Sequence, residues 1–121
     1  MSWRLAILVG LTLAVAGCNS LRTASEAGPG CQLLTAAEGI LKADLVWGLG
    51  LEGRGGFRGV VWPFGFTARR DGNGILLLVD RDGNVLAREG DRIAMAAKGS
   101  DDGVTYVCDP PNIRVVDAAE E

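Results

Sequence analysis

The stretch RRDGNGILLLVDRDGNVLAREGD, residues 69–91, contains the tetrapeptide RDGN twice, at residues 70–73 and 81–84. Asp-Gly and Gly-Asn pairs tolerate the positive φ angles that hairpin turns require. The apolar run between the copies has the length of a strand, and the repeat distance of 11 residues equals one strand plus one turn. We therefore predict that the two copies form consecutive hairpin turns at opposite ends of one buried strand.

The second copy also has part of the spacing of a calcium-binding loop. Positions 1, 3, 5 and 12 of an EF-hand-like loop are occupied by Asp80, Asp82, Asn84 and Asp91. Position 6, which must be glycine in an EF-hand, is Val85, and no helical pattern flanks the loop. Asp91 can instead accept backbone N–H bonds while Gly90 forms the bend. We predict turns and no metal site, with a calcium loop at residues 80–91 as the weaker alternative.

Short apolar segments separated by glycine-rich turns continue along the rest of the chain. Residues 39–53 are predicted as the first long strand and residues 57–62 as the next, which ends at Pro63 because proline cannot donate to a ladder. Further strands are predicted at residues 65–68, 74–80, 84–87, 92–96, 104–108 and 113–116. A single helical turn within residues 33–41 is the one helical alternative.

This pattern predicts an all-β domain. Closing a small sheet removes the exposed edges that invite aggregation, so we expect a small OB-like Greek-key barrel, with a small β-sandwich as the alternative. The predicted barrel domain spans residues 31–116 and is followed by an acidic tail at residues 117–121.

The N-terminus resembles a bacterial lipoprotein signal. Arg4 provides a positive charge, and the apolar run of residues 5–17 would extend about 20 Å as a helix, which is too short to span a bilayer. The run ends in Val15-Ala16-Gly17-Cys18, which resembles a lipobox, so Cys18 is the expected lipidated residue after cleavage. Residues 1–17 are therefore predicted as a lipoprotein signal peptide and residues 18–30 as a lipidated flexible tether. Asn19, where an aspartate would favour the inner membrane, favours the outer membrane or the cell surface.

Removing residues 1–17 leaves 104 residues with 11 basic and 15 acidic side chains, a net charge of −4. This length accommodates one small domain, and the negative charge argues against nucleic-acid binding. The expected partners are a membrane, through the N-terminal lipid, and a protein of the cell envelope.

The remaining cysteines, Cys31 and Cys108, lie near the two ends of the predicted domain. An exported chain meets an oxidising compartment, so we predict a disulfide between them. A reactive or metal-binding thiol pair is the alternative, but the chain has no CxxC motif and no histidine.

The segment VVWPFGFTAR offers a candidate ligand surface. Trp62, Phe64 and Phe66, with Arg58 and Arg69 nearby, could form an aromatic face for a small ligand or a carbohydrate. The preferred interpretation is that Trp62 and Phe66 fill the barrel and Phe64 covers one end, because aromatic side chains in small domains mostly belong to the core.

The sequence contains no recognisable catalytic motif. It has no histidine, no GxSxG, no SxxK and no paired-carboxylate motif, so no nucleophile–base pair is recognisable. We expect a protein that is not an enzyme and needs no cofactor.

Residues 60–91 resemble a group of small uncharacterised bacterial secreted proteins and lipoproteins. The shared stretches are VWPxGF, which begins here at Val61, and DxDGxVxAREGD, which spans residues 80–91. The resemblance covers about a third of the mature chain, and it implies a compact β domain without an assigned active site.

Overall fold

The computed structural model describes residues 21–24, 31, 35–98 and 102–118. The strands of these ranges are β1 (Thr35–Asp44), β2 (Gly48–Gly53), β3 (Gly56–Val61), β4 (Thr67–Arg70), β5 (Leu76–Val79), β6 (Val85–Arg88), β7 (Arg92–Lys98), β8 (Val104–Val107) and β9 (Arg114–Asp117). Within the same ranges, no helix is long and apolar enough to cross a membrane. The predicted signal peptide and Cys18 lie outside the described residues.

Five strands close into a barrel in the order β1–β2–β3–β8–β7, and β7 pairs with β1 to complete the circuit. The first three strands form an antiparallel meander. β8 then runs parallel to β3, with Val60 opposite Thr105. This arrangement is a five-stranded Greek-key barrel of the OB type. The prediction of an all-β, OB-like barrel is confirmed, and the strands of the described ranges do not form the alternative β-sandwich.

A second sheet, β4–β5–β6, is inserted between β3 and β7. It packs on the barrel through Leu76 and Leu78 of β5, which are 2% and 0% exposed and belong to the same apolar core as Trp62. The two RDGN copies lie in the hairpin turns at opposite ends of β5, as predicted.

The two hairpin turns share one set of backbone hydrogen bonds. In each, an aspartate donates its N–H to the carbonyl four residues later, and its own carbonyl accepts from a glycine three residues later. The bonded pairs are Asp71–Ile75 (2.9 Å), Asp71–Gly74 (3.1 Å), Asp80–Asn84 (2.9 Å) and Asp80–Gly83 (3.1 Å). Gly74 and Gly83 have φ angles of 82° and 89°, as a three-residue loop with a glycine bulge requires.

Asp71 therefore corresponds to Asp80, nine residues later, and not to Asp82 of the second RDGN copy. The interpretation of 11 residues as the length of one strand plus one turn is wrong, since the structural repeat is nine. The physical reason is that the aspartate carboxylate begins each turn and the left-handed glycine ends it. RDGN places its glycine at the left-handed position only in the second copy.

The predicted single strand at residues 39–53 is also corrected. The chain forms two strands, β1 and β2, joined by residues 45–47. The Asp44 carboxylate accepts the backbone N–H groups of Val46 and Trp47, both at 2.9 Å, and Gly48 has a φ of 75°. A side-chain turn of this kind interrupts the strand although residues 45–47 are apolar. The helical alternative concerns residues 33–41; residues 35–41 belong to β1, and residues 33 and 34 lie outside the described residues.

Both ends of the predicted domain extend further than expected. Residues 21–24 lie in the predicted tether, yet Thr23 forms a parallel bridge with Trp62. At the other end, Asp117 pairs with Arg92 as the last residue of β9, so it is not part of a free tail. In both cases backbone groups satisfy an open edge of the sheet, which sequence composition does not reveal.

Candidate functional site

Cys31 and Cys108 form the predicted disulfide, with 5.5 Å between their Cα atoms. Cys108 follows β8 and is 3% exposed, and its backbone N–H donates to the Ala96 carbonyl of β7. The disulfide therefore joins the chain before β1 to the barrel wall at the end of β8. This geometry makes the bridge a structural element, because the second sulfur lies inside the domain.

The structure separates the three aromatic side chains of the predicted ligand face. Trp62 is 0% exposed and donates its indole N–H to the Leu49 carbonyl at 3.0 Å, and Phe66 is 6% exposed. Phe64 is 43% exposed. A turn at Pro63 and Gly65, with a φ of 83° at the glycine, breaks the alternation that would put the rings on one side. Two of the three rings are core residues and cannot offer a face to a ligand.

The two arginines named with this face point elsewhere in the fold. Arg58 of β3 donates from Nε to the Thr105 hydroxyl oxygen at 3.2 Å, at the mouth of the barrel. Arg69 lies in β4 of the second sheet. The structure therefore does not assemble Trp62, Arg58 and Arg69 into one site.

The acidic side chains of residues 80–91 are used in local turns. The Asp80 carboxylate accepts the backbone N–H groups of Asp82 and Asn84, both at 2.9 Å, and the Asn84 side-chain amide at 3.2 Å. The backbone N–H of Asn84 is the main cause that lowers the pKa of Asp80 below its ordinary value, because hydrogen bonds favour the ionised form. Among the described residues, no group of three or more possible side-chain ligands could hold a metal ion.

Asp91 belongs to a different turn from Asp80. Its carboxylate accepts the backbone N–H of Arg88 at 2.9 Å, while Gly90 adopts a φ of 96°. The predicted role of Asp91 as an acceptor of backbone N–H bonds is confirmed. The side chain is 5% exposed, and its backbone carbonyl accepts from Leu41 of β1, so this turn attaches the second sheet to the barrel.

A different aromatic surface exists on the outer side of β2 and β3. A Cβ atom added at Gly50 would overlap the Phe57 ring, and one added at Gly59 would overlap the Trp47 ring. Each ring therefore lies directly on a glycine of the neighbouring strand. Extending the β2–β3 register by one pair places Gly50 opposite Gly59, so the two rings occupy one surface. Phe57 is 37% exposed and Trp47 is half-buried.

An ion pair borders this surface, which we call the Trp47/Phe57 face. Lys42 lies opposite Gly50, and Glu52 lies opposite Phe57, so both side chains share the outer side with the rings. Lys42 Nζ and Glu52 Oε2 are 2.6 Å apart. This hydrogen bond with Glu52 raises the pKa of Lys42 above its ordinary value. The rings can stack on a flat ligand, and the charged pair beside them can hydrogen-bond to the polar edge of that ligand.

The sequence carries one signal for this face, which lies outside the motifs described above. The segment GLGLEG has glycines at positions 48, 50 and 53, and a glycine in the interior of a strand can mark the close approach of another group. An aromatic residue covering a cross-strand glycine is a known stabilising arrangement in sheets. Which aromatic side chains cover which glycines depends on the register between β2 and β3, and that register is set by the turn at residues 54–55.

An open cavity of about 360 Å³ lies at the mouth of the barrel, at the end of β2 that is opposite to residues 45–47. Its lining includes three cationic side chains, Arg54, Arg58 and Lys98, and one anionic side chain, Glu38. The cavity lies beside the β2–β3 turn, away from residues 45–47. Its positive lining suits an anionic group of a partner better than a cationic one.

Comparisons with protein-family models, with curated proteins and with solved structures find no match to this chain.

Proposed function

We propose that the protein is a lipid-anchored extracytoplasmic β-barrel module, without enzymatic activity, that binds a partner in the cell envelope or serves a structural role there. The observation that carries this proposal is the Cys31–Cys108 disulfide, because such bridges form and persist in oxidising compartments. The lipobox-like end of the apolar N-terminal run, at Cys18, supplies the anchor. The resemblance of residues 60–91 to small bacterial secreted proteins and lipoproteins supports the same location.

Intact-mass analysis of protein purified from its own membranes tests the anchor. The expected product begins at Cys18, carries acyl chains on that residue and stays in the membrane fraction at high salt. The Cys18→Ala variant should be unacylated and released. Cys108→Ala is the matched control, since it removes a cysteine and the disulfide but should leave the acyl mass in place. A native protein that begins at Met1, or that has no acyl mass at Cys18, would contradict the proposal.

The second candidate function is carbohydrate binding, which the Trp47/Phe57 face favours. The outer surface of the second and third barrel strands is the side on which OB-fold barrels bind oligosaccharides. The apolar face of a sugar ring can stack on the Phe57 ring, and sugar hydroxyls can hydrogen-bond to the Lys42–Glu52 pair. This moves the aromatic ligand face predicted at residues 62, 64 and 66 to another part of the barrel.

Binding to purified cell-wall polysaccharide distinguishes this function from binding to an envelope protein. Phe57→Ala is expected to weaken polysaccharide binding about tenfold, the effect of losing roughly 1.4 kcal/mol of stacking. Phe64→Ala is the matched control, because Phe64 is also partly exposed but lies outside the face. Equal affinities of the two variants, or no binding by the wild type, would exclude carbohydrate binding at this face.

A further inference from the structure

The turn between β1 and β2 exposes the most accessible apolar side chains of the described chain. Leu45 is 104% exposed, so its side chain touches nothing in the domain, and the neighbouring Val46 is 59% exposed. Single exposed apolar residues are common on protein surfaces, but two adjacent ones at the tip of a turn form a small apolar projection. We call residues 45–46 the apolar tip.

The backbone of the turn holds the apolar tip away from the barrel. The Asp44 carboxylate accepts the N–H groups of Val46 and Trp47, both at 2.9 Å. The Trp47 ring lies on Gly59, so the residue after the tip is held on the outer barrel wall. The exposure of Leu45 and Val46 is therefore a property of an ordered turn.

The apolar tip lies beside the segment that leads to the proposed anchor. Arg22 donates from Nε to the Val46 carbonyl at 3.1 Å, and its own carbonyl accepts from the Trp62 N–H at 2.8 Å. Leu21 is half-buried against the core. Two residues, Asn19 and Ser20, lie between Cys18 and Leu21, and the three Cα-to-Cα steps of this link span at most about 10 Å when extended. A lipid on Cys18 would thus hold the bilayer surface within about 10 Å of this part of the barrel.

We propose that the apolar tip, Leu45 and Val46, inserts into the lipid bilayer next to the acylated Cys18 and fixes the orientation of the barrel. The inference rests on the lipid anchor of the proposed function. The short link from Cys18 to Leu21 selects a lipid surface as the occupant, since it brings the tip to the acyl–headgroup boundary, where interfacial apolar side chains insert about 5–10 Å. The barrel mouth, about 17 Å away along β2, then faces away from the membrane.

The experiment compares two positions in the acylated protein reconstituted into phospholipid vesicles. An environment-sensitive fluorophore is attached at Leu45→Cys, and, in the matched control, at Gly55→Cys in the β2–β3 turn. Gly55 is exposed, and a Cβ atom there meets nothing within 4 Å. Nitroxide groups on the lipid acyl chains act as quenchers. Both labelled proteins should keep the wild-type melting temperature, because neither side chain is packed.

The proposal expects strong quenching and a blue-shifted emission at position 45, with neither change at position 55. Equal quenching at the two positions, in protein whose acyl mass on Cys18 has been verified, would overturn the insertion of the tip and leave the anchor intact. An absent acyl mass on Cys18 would overturn the proposed anchor and the tip insertion together, since nothing would then hold residue 18 at the bilayer.

Discussion

Glycine substitutions in the two RDGN copies should give opposite results although the motifs are identical. Gly83 has a φ of 89°, whereas Gly72, its counterpart in the first copy, is outside the left-handed region. The left-handed glycine of the first turn is Gly74, with a φ of 82°. An added Cβ meets nothing within 4 Å at any of the three positions, so only the backbone conformation distinguishes them.

The magnitudes follow from that difference. An alanine in the left-handed region costs about 1–2 kcal/mol, so Gly83→Ala and Gly74→Ala should each lower the free energy of unfolding by about 1 kcal/mol. Gly72→Ala should raise it by about 0.5 kcal/mol, because the substitution reduces the entropy of the unfolded chain without strain. For a domain of this size, 1 kcal/mol corresponds to a shift in melting temperature of about 4–8 °C.

Urea unfolding followed by the fluorescence of the tryptophans, which include the buried Trp62, measures these differences. Gly83→Asn provides a further control, since asparagine tolerates the left-handed region and should cost less than alanine. If Gly72→Ala destabilised the protein as much as Gly83→Ala, the two glycines would occupy the same position in their turns. The nine-residue repeat that begins at Asp71 and Asp80 would then be wrong.

Three further changes should affect stability by distinct mechanisms. Replacing both Cys31 and Cys108 by alanine opens a loop of 78 residues and should lower the free energy of unfolding in urea by up to about 4.5 kcal/mol. The single Cys31→Ala variant should lower it by nearly as much. If the effects of the two single variants added up to that of the double variant, the two cysteines would not share one cross-link. Asp80 has a folded-state pKa below its ordinary value of 3.8, so its contribution is present above that pH and is lost as the pH falls further. Asp80→Asn should therefore have a lower melting temperature than the wild type at neutral pH, and the difference should shrink in acid. A difference that stayed constant with pH would mean that the ionised Asp80 carboxylate does not stabilise the turn. Trp62→Phe leaves the Leu49 carbonyl without its indole donor and should cost about 3 kcal/mol by urea unfolding, whereas a loss below about 1 kcal/mol would mean that the hydrogen bond adds little.

The fold was predictable because its signals are local. Aspartate and glycine residues mark the turns around β5, and Pro63 follows the end of β3. The split between β1 and β2 was not predictable from hydropathy, because residues 45–47 are apolar and their turn depends on hydrogen bonds to the Asp44 carboxylate. A side-chain turn of this kind has no apolar–polar pattern for a sequence analysis to detect.

The candidate sites were less predictable than the fold. Trp62, Phe64 and Phe66 alternate like residues on one side of a strand, but the turn at Gly65 separates them. Trp47 and Phe57 are ten residues apart in the sequence and meet only because β2 and β3 pair with Gly50 opposite Gly59. Side chains that contact each other from neighbouring strands can be identified only after the register of the two strands is known.

By itself, the sequence determined the all-β class, the positions of the two hairpin turns and the cysteines that pair in the disulfide. These properties depend on backbone conformations and reactive groups that belong to particular residue types. Only the tertiary structure decided which aromatic rings enter the core, which lie on glycines outside it, and that residues 21–24 attach to the barrel beside Trp62. Those outcomes depend on contacts between strands far apart in the chain, where packing selects one partner among many residues of similar character.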